Sequence, residues 1–306
     1  MNTLGTKKLL GVAVAATLGM GMAGNAQAAS YAIAYDNIFN WSITDSGGAA
    51  LVPTTSLYDS ESHAELGAGI TVDDNNGASP PQSSFALLGG AGLGITDNNF
   101  AFAGPNSPDY GRGDGDIPTG SQSQKIGEAY VGSDDQTAGG GSVNTLDLTF
   151  TVAAGTTETL TFMFEAQKYL EAWTTGSTAL DFAEADNNFN ITITDATGAS
   201  VFDWSPDGAA GGISGGVEAA DAFDLSLDFF ASSGNPGPLV YNQLGGGLFQ
   251  ATTGLLAAGT YSLGVSNETH AHVSTGSVPE PATLLLLGAG LAGLGYTRRQ
   301  RKLAMA

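Results

Sequence analysis

Thr145-Leu146-Asp147-Leu148-Thr149-Phe150-Thr151-Val152 alternates polar and apolar residues at every step. A strand turns successive side chains to opposite faces, so Leu146, Leu148, Phe150 and Val152 share one face and the Thr and Asp residues the other. The period recurs on both sides. Tyr31, Ile33, Tyr35, Phe39, Trp41 and Ile43 hold odd positions earlier in the chain, and Leu160, Phe162 and Phe164 follow a turn at Gly155. Phe189, Ile191 and Ile193 repeat it, as do Phe223, Leu225, Leu227 and Phe229, then Tyr261, Leu263 and Val265. Asp73-Asp74-Asn75-Asn76-Gly77, Asp195-Ala196-Thr197-Gly198 and Ser205-Pro206-Asp207-Gly208 supply turn residues between such runs. Many strands without amphipathic helices predict an all-β body, an antiparallel and jelly-roll-like sandwich. Ala and Glu cluster in 165–173 and 178–186, where one short helix is expected.

From about 67 to 141 the composition shifts to Gly, Asp, Asn, Ser and Pro. That predicts long loops, with strands only at 84–88, 99–103 and 129–132. The apolar run 85–95 is too short to span a membrane and reads as a core segment.

The chain has 306 residues, and both ends read as processed segments. Lys7 and Lys8 precede an apolar run over 9–22 and then Ala26-Gln27-Ala28. A cationic start, a brief apolar core and an A-x-A site predict a secretory signal peptide over 1–28, cut after Ala28. The expected body, 29–277, is an acidic ectodomain. It holds only Arg112, Lys125 and Lys168 as cations against 29 of the 30 carboxylates, a net −26. Such a body repels nucleic acid and anionic lipid, which bind through Lys and Arg, and attracts cations. With no cysteine in the chain, disulfides, thiolate metal sites and cysteine catalysis are excluded.

The last segment is the most specific. Val278-Pro279-Glu280-Pro281 precedes 282–297, which carries no charge, and Arg298, Arg299, Arg301 and Lys302 follow. Sixteen helical residues rise about 24 Å, enough to span a thinned bilayer. The basic cluster keeps the C-terminus cytoplasmic, and the prolines keep the preceding segment extended. Prolines, a short span and a basic cluster in that order over 278–302 closely resemble the PEP-CTERM sorting signal. The resemblance implies a Gram-negative, exopolysaccharide-producing source. It also implies passage through the Sec translocon, transient residence in the inner membrane, and cutting near the motif by an exosortase, a membrane cysteine transpeptidase. The mature protein is then expected at the cell surface or in the extracellular matrix. Ser205-Pro206-Asp207-Gly208 followed by Gly211-Gly212-Ile213-Ser214-Gly215-Gly216, and Ala257-Ala258-Gly259-Thr260-Tyr261, make the body similar to uncharacterised members of that group, for which no activity is known.

Other motifs carry less. Gly212-Ile213-Ser214-Gly215-Gly216 fits G-x-S-x-G, but no strand–helix context surrounds the serine, so a surface loop is expected. Gly288-Ala289-Gly290-Leu291-Ala292-Gly293 lies in the tail span, where small residues favour helix contact over dinucleotide binding. His270-Ala271-His272 places two imidazoles on one strand face, a spacing that binds metals; with only His63 as a third histidine, such a site needs carboxylates, and the alternative is an exposed, unliganded pair. Acidic runs offer Ca²⁺ ligands, with Asp73, Asp74, Asp114 and Asp116 as candidates, although none forms an EF-hand. Trp41, Trp173 and Trp204 are candidates for a sugar-stacking platform or for core. The expected function is non-enzymatic: an exported, structural protein of exopolysaccharide or biofilm. The alternatives are a carbohydrate-binding module protein and a secreted glycosidase-like enzyme.

Overall fold

Most of the alternating runs become strand, and the computed structural model contains sixteen strands among the described residues. The structure describes residues 28–67, 70–75, 99–104, 109–115, 122–133, 135–176, 178–235 and 237–276. The strands are β1 (Ser30–Thr44), β2 (Thr55–Leu66), β3 (Ile70–Asn75), β4 (Asn99–Ala103), β5 (Tyr110–Gly115), β6 (Gln122–Val131), β7 (Gln136–Glu158) and β8 (Thr161–Thr174). They continue as β9 (Phe182–Asp195), β10 (Ser200–Trp204), β11 (Ile213–Ser214), β12 (Gly216–Asp221), β13 (Asp228–Ser232), β14 (Leu239–Asn242), β15 (Gly247–Thr253) and β16 (Leu256–Thr275).

Two eight-stranded antiparallel sheets form a sandwich. The first runs β12-β15-β8-β1-β6-β5-β4, with β14 also on β8; the second runs β11-β10-β9-β16-β7-β2-β3, with β13 also on β9. The 20-residue β16 is the spine of the second sheet, paired along its length with β7 and β9. β1 plays that part in the first, between β6 and β8.

Neither stretch offered for the one short helix is helical. Residues 165–173 lie in β8 and 182–186 in β9, because alternation there (Phe162, Phe164, Ala166, Leu170 and Ala172; Ala183 and Ala185) buries one face completely. Tertiary burial overrides the helix preference of Ala and Glu. The run 223–229 buries Phe223 and Leu225 yet becomes regular strand only at Asp228. Residues 73–75 extend β3 rather than turning. Gly155 does take a positive φ, but within a bulge of β7 against β16 rather than at a strand end. The expected turn at 195–198 is present. Asp195 Oδ1 accepts from the amides of Thr197 (2.8 Å) and Ala199 (3.1 Å), and Gly198 has φ 83°. Asp45 builds the same turn through Gly47 and Ala49, with Gly48 at φ 80°.

The region 67–141 is also corrected. Its described part is β3 to β6 and the start of β7; 99–103 is β4 and 129–131 ends β6, while 84–88 lies outside the described residues. Its glycines serve sheet-to-sheet approach rather than loops. A Cβ on Gly113 would overlap the carbonyl oxygens of Gly141 and His63, and one on Gly140 would overlap that of Arg112. Stacked sheets ordinarily lie about 10 Å apart; here backbone meets backbone, which only Gly allows.

Three bands fill the interior. At the end holding Ser30 and Thr275 the core is alanine, including Ala32, Ala34, Ala138, Ala183 and Ala271, all fully buried. At the other end it is aromatic, with Phe150, Phe162, Phe164, Phe189, Phe202, Trp204 and Phe249. Phe164 contacts Trp41 (5.1 Å), Phe249 (5.1 Å) and Trp204 (5.7 Å) between ring centroids. Between them lies a polar belt of Asp36, Lys125, Lys168, Asn144, Asn187 and Asn267.

Candidate functional site

All three cations of the body are interior: Arg112 is 2% exposed, Lys125 and Lys168 0%. Asp36 on β1 lies opposite Lys125 on β6 and Lys168 on β8. Burial lowers Lys125 to about 7 and Lys168 to about 8, and raises Asp36. Lys168 Nζ donates to the Asp224 carbonyl at 3.1 Å. On the outer face of the first sheet, Glu128 accepts from the hydroxyls of Tyr31 (2.8 Å) and Tyr110 (3.0 Å) and stands 3.8 Å from Arg112. The protein's exterior therefore carries carboxylates and imidazoles, and no Lys or Arg among the described residues.

The chain's three histidines meet on the outer face of the second sheet. His63 on β2 and His270 on β16 both pair with Gly141 on the intervening β7. One step along, Glu65 and His272 both pair with Gly139. The glycines leave a floor without side chains, so residues two strands apart face one another over it. His63 Nδ1 is hydrogen-bonded to Asp73 on β3 (2.5 Å), and His270 Nδ1 to Asp186 on β9 (3.2 Å). Glu65 lies between two rings, 3.8 Å from His63 Nε2 and 3.8 Å from His272 Nε2. The His270 and His272 ring centroids are 6.1 Å apart. The Asp186 hydrogen bond raises His270, while burial lowers His272. A cavity of about 450 Å³ opens beside His63, Asp73, Gly141 and His270. The strand-face reading of His270 and His272 holds; the partnership with His63 and Glu65 needed the strand order, which no local spacing encodes.

A second cavity, about 330 Å³, lies between the sheets where the aromatic band meets the belt. Trp41, Ile43, Leu51, Tyr58 and Leu146 form its walls, with Asn144 and Asn267 also lining it. Trp41 reaches it because β1 carries one extra residue between Phe39 and Ser42, where Asn40 takes φ 55°. Before this bulge the even positions Ala32, Ala34 and Ile38 face inward; after it Trp41 and Ile43 do. The odd-numbered run from Tyr31 to Ile43 is thus not one face. Tyr31, Ile33 and Tyr35 pack on the outer side of the first sheet.

The three tryptophans do not form one platform. Trp204 is fully buried and donates to Glu218 (2.6 Å), whereas Trp173 packs beside Tyr31 on the other side of the first sheet. Asp73 and Asp74 lie in β3 of the second sheet and Asp114 in β5 of the first, so backbone topology does not join them into one turn. Asp116 lies outside the described residues. Ser214 is exposed on β11 and is followed by strand β12, not by a helix. Ala28 begins the described body, and Ala26 lies outside it. Also outside are the expected signal helix, the tail span, and the motif residues Val278 to Pro281 and Arg298 to Lys302. No described helix is long and apolar enough to cross a membrane.

No curated protein matches the chain. Among solved structures, the infectious bursal disease virus Gx strain is 14% identical over 82% of this chain and 58% of that one, with a TM-score of 0.13. The Gt strain structure is 12% identical over 88% and 74%, TM-score 0.08. The crystal structure of the VP2 subviral particle of that virus is 14% identical over 91% and 76%, TM-score 0.11. The chain spans 58% of the first of these. Likeness at these scores supports no argument about function. The tail is different: residues 277–302 match the PEP-CTERM protein-sorting motif. The chain carries, at 277–302, the PEP-CTERM sorting signal that marks a protein for export and exosortase processing.

Proposed function

We propose that the body is a non-catalytic structural protein of the cell surface or extracellular matrix, held within exopolysaccharide after its tail is processed. The observation that carries this reading is the sorting motif at 277–302. The charge arrangement supports it, since an exterior without Lys or Arg stays soluble and gathers cations that bridge it to other polyanions. The Sec translocon would deliver the body, and signal cleavage after Ala28 would leave Ala29 as its first residue. Ala29 is already fixed, its amide donating to Thr175 Oγ1 (3.0 Å) and its carbonyl accepting from the Thr175 amide (2.7 Å). The exosortase would then act at Val278 to Pro281, while Arg298, Arg299, Arg301 and Lys302 hold the precursor in the inner membrane. A jelly-roll-like wrap is supported by β6, β7, β8 and β9, which alternate between the two sheets around β1 and β16.

Mass spectrometry of both termini, from wild-type cells and from cells lacking the exosortase, tests the processing. Loss of the segment after the motif in wild-type cells alone is expected; a C-terminus at Ala306 in both overturns the reading. A second reading, carbohydrate binding, is favoured by the half-open cavity at Trp41, whose walls are apolar and whose lining includes Asn144 and Asn267. Binding to purified exopolysaccharide that Trp41→Ala abolishes would establish it. Turnover of a labelled polysaccharide would replace both with a glycosidase.

A further inference from the structure

We propose that the histidine row on the second sheet binds one divalent transition-metal cation of the zinc class, through the imidazoles of His63, His270 and His272 and the carboxylate of Glu65. Every histidine of the sequence stands on this face, on two strands separated by Gly139 and Gly141. Flanking strands two spacings apart put His63 and His270 roughly 10 Å apart at Cα. Two imidazoles span that distance with an ion between them, each bond being about 2 Å. A side chain on either glycine would stand in the way.

The rings are also held by carboxylates. A metal-binding imidazole typically offers one nitrogen while a carboxylate holds the other. Asp73 holds His63 at Nδ1 and Asp186 holds His270 at Nδ1, which leaves the Nε2 atom of each ring to serve as the metal ligand. Glu65 reaches both His63 Nε2 and His272 Nε2 at 3.8 Å. Among the described residues no three such groups converge on one point, so ion binding requires side-chain rotation about the Asp73 and Asp186 hydrogen bonds. The rings leave room for this, at 45%, 41% and 30% exposed for His63, His270 and His272. Imidazole nitrogens select borderline cations, whereas Ca²⁺ and Mg²⁺ prefer sites made wholly of oxygen.

The test uses untagged full-length protein in detergent, stripped with EDTA and titrated with ZnCl₂ by calorimetry. About one tightly bound ion per chain is expected. His63→Ala with His270→Ala should weaken binding at least about 100-fold, and Asp186→Asn about tenfold, the loss typical of a supporting carboxylate. Melting temperatures of these variants in EDTA should stay within a few degrees of the wild type, because the side chains are half-buried on the outer face and outside the core clusters. Cu²⁺ in the same site should show nitrogen hyperfine splitting in its electron paramagnetic resonance spectrum. Zn²⁺ binding unchanged in the double variant overturns the proposal. So does displacement of Zn²⁺ by equimolar Ca²⁺, or a Cu²⁺ spectrum without nitrogen coupling.

Discussion

Asp36 and Lys125 are cross-strand partners with 4.0 Å between Oδ2 and Nζ, both fully buried, and neither side chain closes a hydrogen bond there. Asn267 is turned toward Asp36 without completing one. Removing Lys125 leaves Asp36 with Lys168 as its remaining buried cation; breaking a buried pair costs up to about 3–5 kcal/mol, whereas replacing it by apolar residues is often neutral or stabilising. Lys125→Met should therefore lower the unfolding free energy by about that amount, and Asp36→Leu with Lys125→Met should recover most of it. Urea denaturation of the four proteins in the cycle measures this. A loss under about 1 kcal/mol in the single variant would mean that the belt is solvated.

The belt sets a pH dependence. Burial holds Lys125 at about 7 and Lys168 at about 8, against 10.5 in the unfolded chain, so folding releases their protons across the alkaline range. Lys125 faces Asp36, Glu268 and Lys168, and the two carboxylates only partly offset its desolvation. Unfolding takes those protons up, so stability should rise from pH 7 toward 10. Below about 7 Lys125 is charged in both states and its slope vanishes. Asp36, raised by burial, acts oppositely at the acid end: its contribution falls as pH climbs above the ordinary carboxylate range. Burial raises Tyr35 to about 12, so stability should decline again above 10. Melting curves from pH 6 to 11 should peak near 10; a monotonic fall from neutrality would refute the assignment.

The glycine contact between the sheets makes a sharp steric prediction. Gly140→Ala and Gly113→Ala each drive a methyl group into backbone of the facing sheet. Each should cost about 2 kcal/mol or more, since overpacking against backbone cannot relax by rotamer change. Gly245→Ala has open space and should fall within about 0.5 kcal/mol of wild type. Thermal unfolding of the three variants checks the contrast.

With its three cations buried, the body's surface repels itself. Salt should therefore stabilise it. Raising NaCl from about 0.01 M to about 1 M shortens the screening length from about 30 Å to about 3 Å, and the melting temperature should rise over that range. A fall would indicate that surface ion pairs dominate instead.

The sequence showed the strands through their period, but not where that period slips. Tyr31 to Ile43 reads as one alternating face, yet the bulge at Asn40 moves the inward set from even to odd positions, and a single Asn gives little local sign of it. Gly139-Gly140-Gly141 reads as loop because glycine is flexible; its role here is to be thin, which only the opposing Gly111, Gly113 and Gly127 reveal. The histidine row was half legible. Two imidazoles at alternate positions follow from strand geometry, while His63 arrives because β2 and β16 flank the same strand, β7. The tail needed no structure, since its order of prolines, apolar run and basic cluster is local.

The first and last strands of the body begin and end side by side: Ser30 Oγ donates to the Ser274 carbonyl at 3.0 Å. The opposite pole of the body bears the Asp45 and Asp195 turns and the aromatic band. Tension applied across the two termini would be met at this one corner, where β1 and β16 meet, and would reach the phenylalanine-packed pole last.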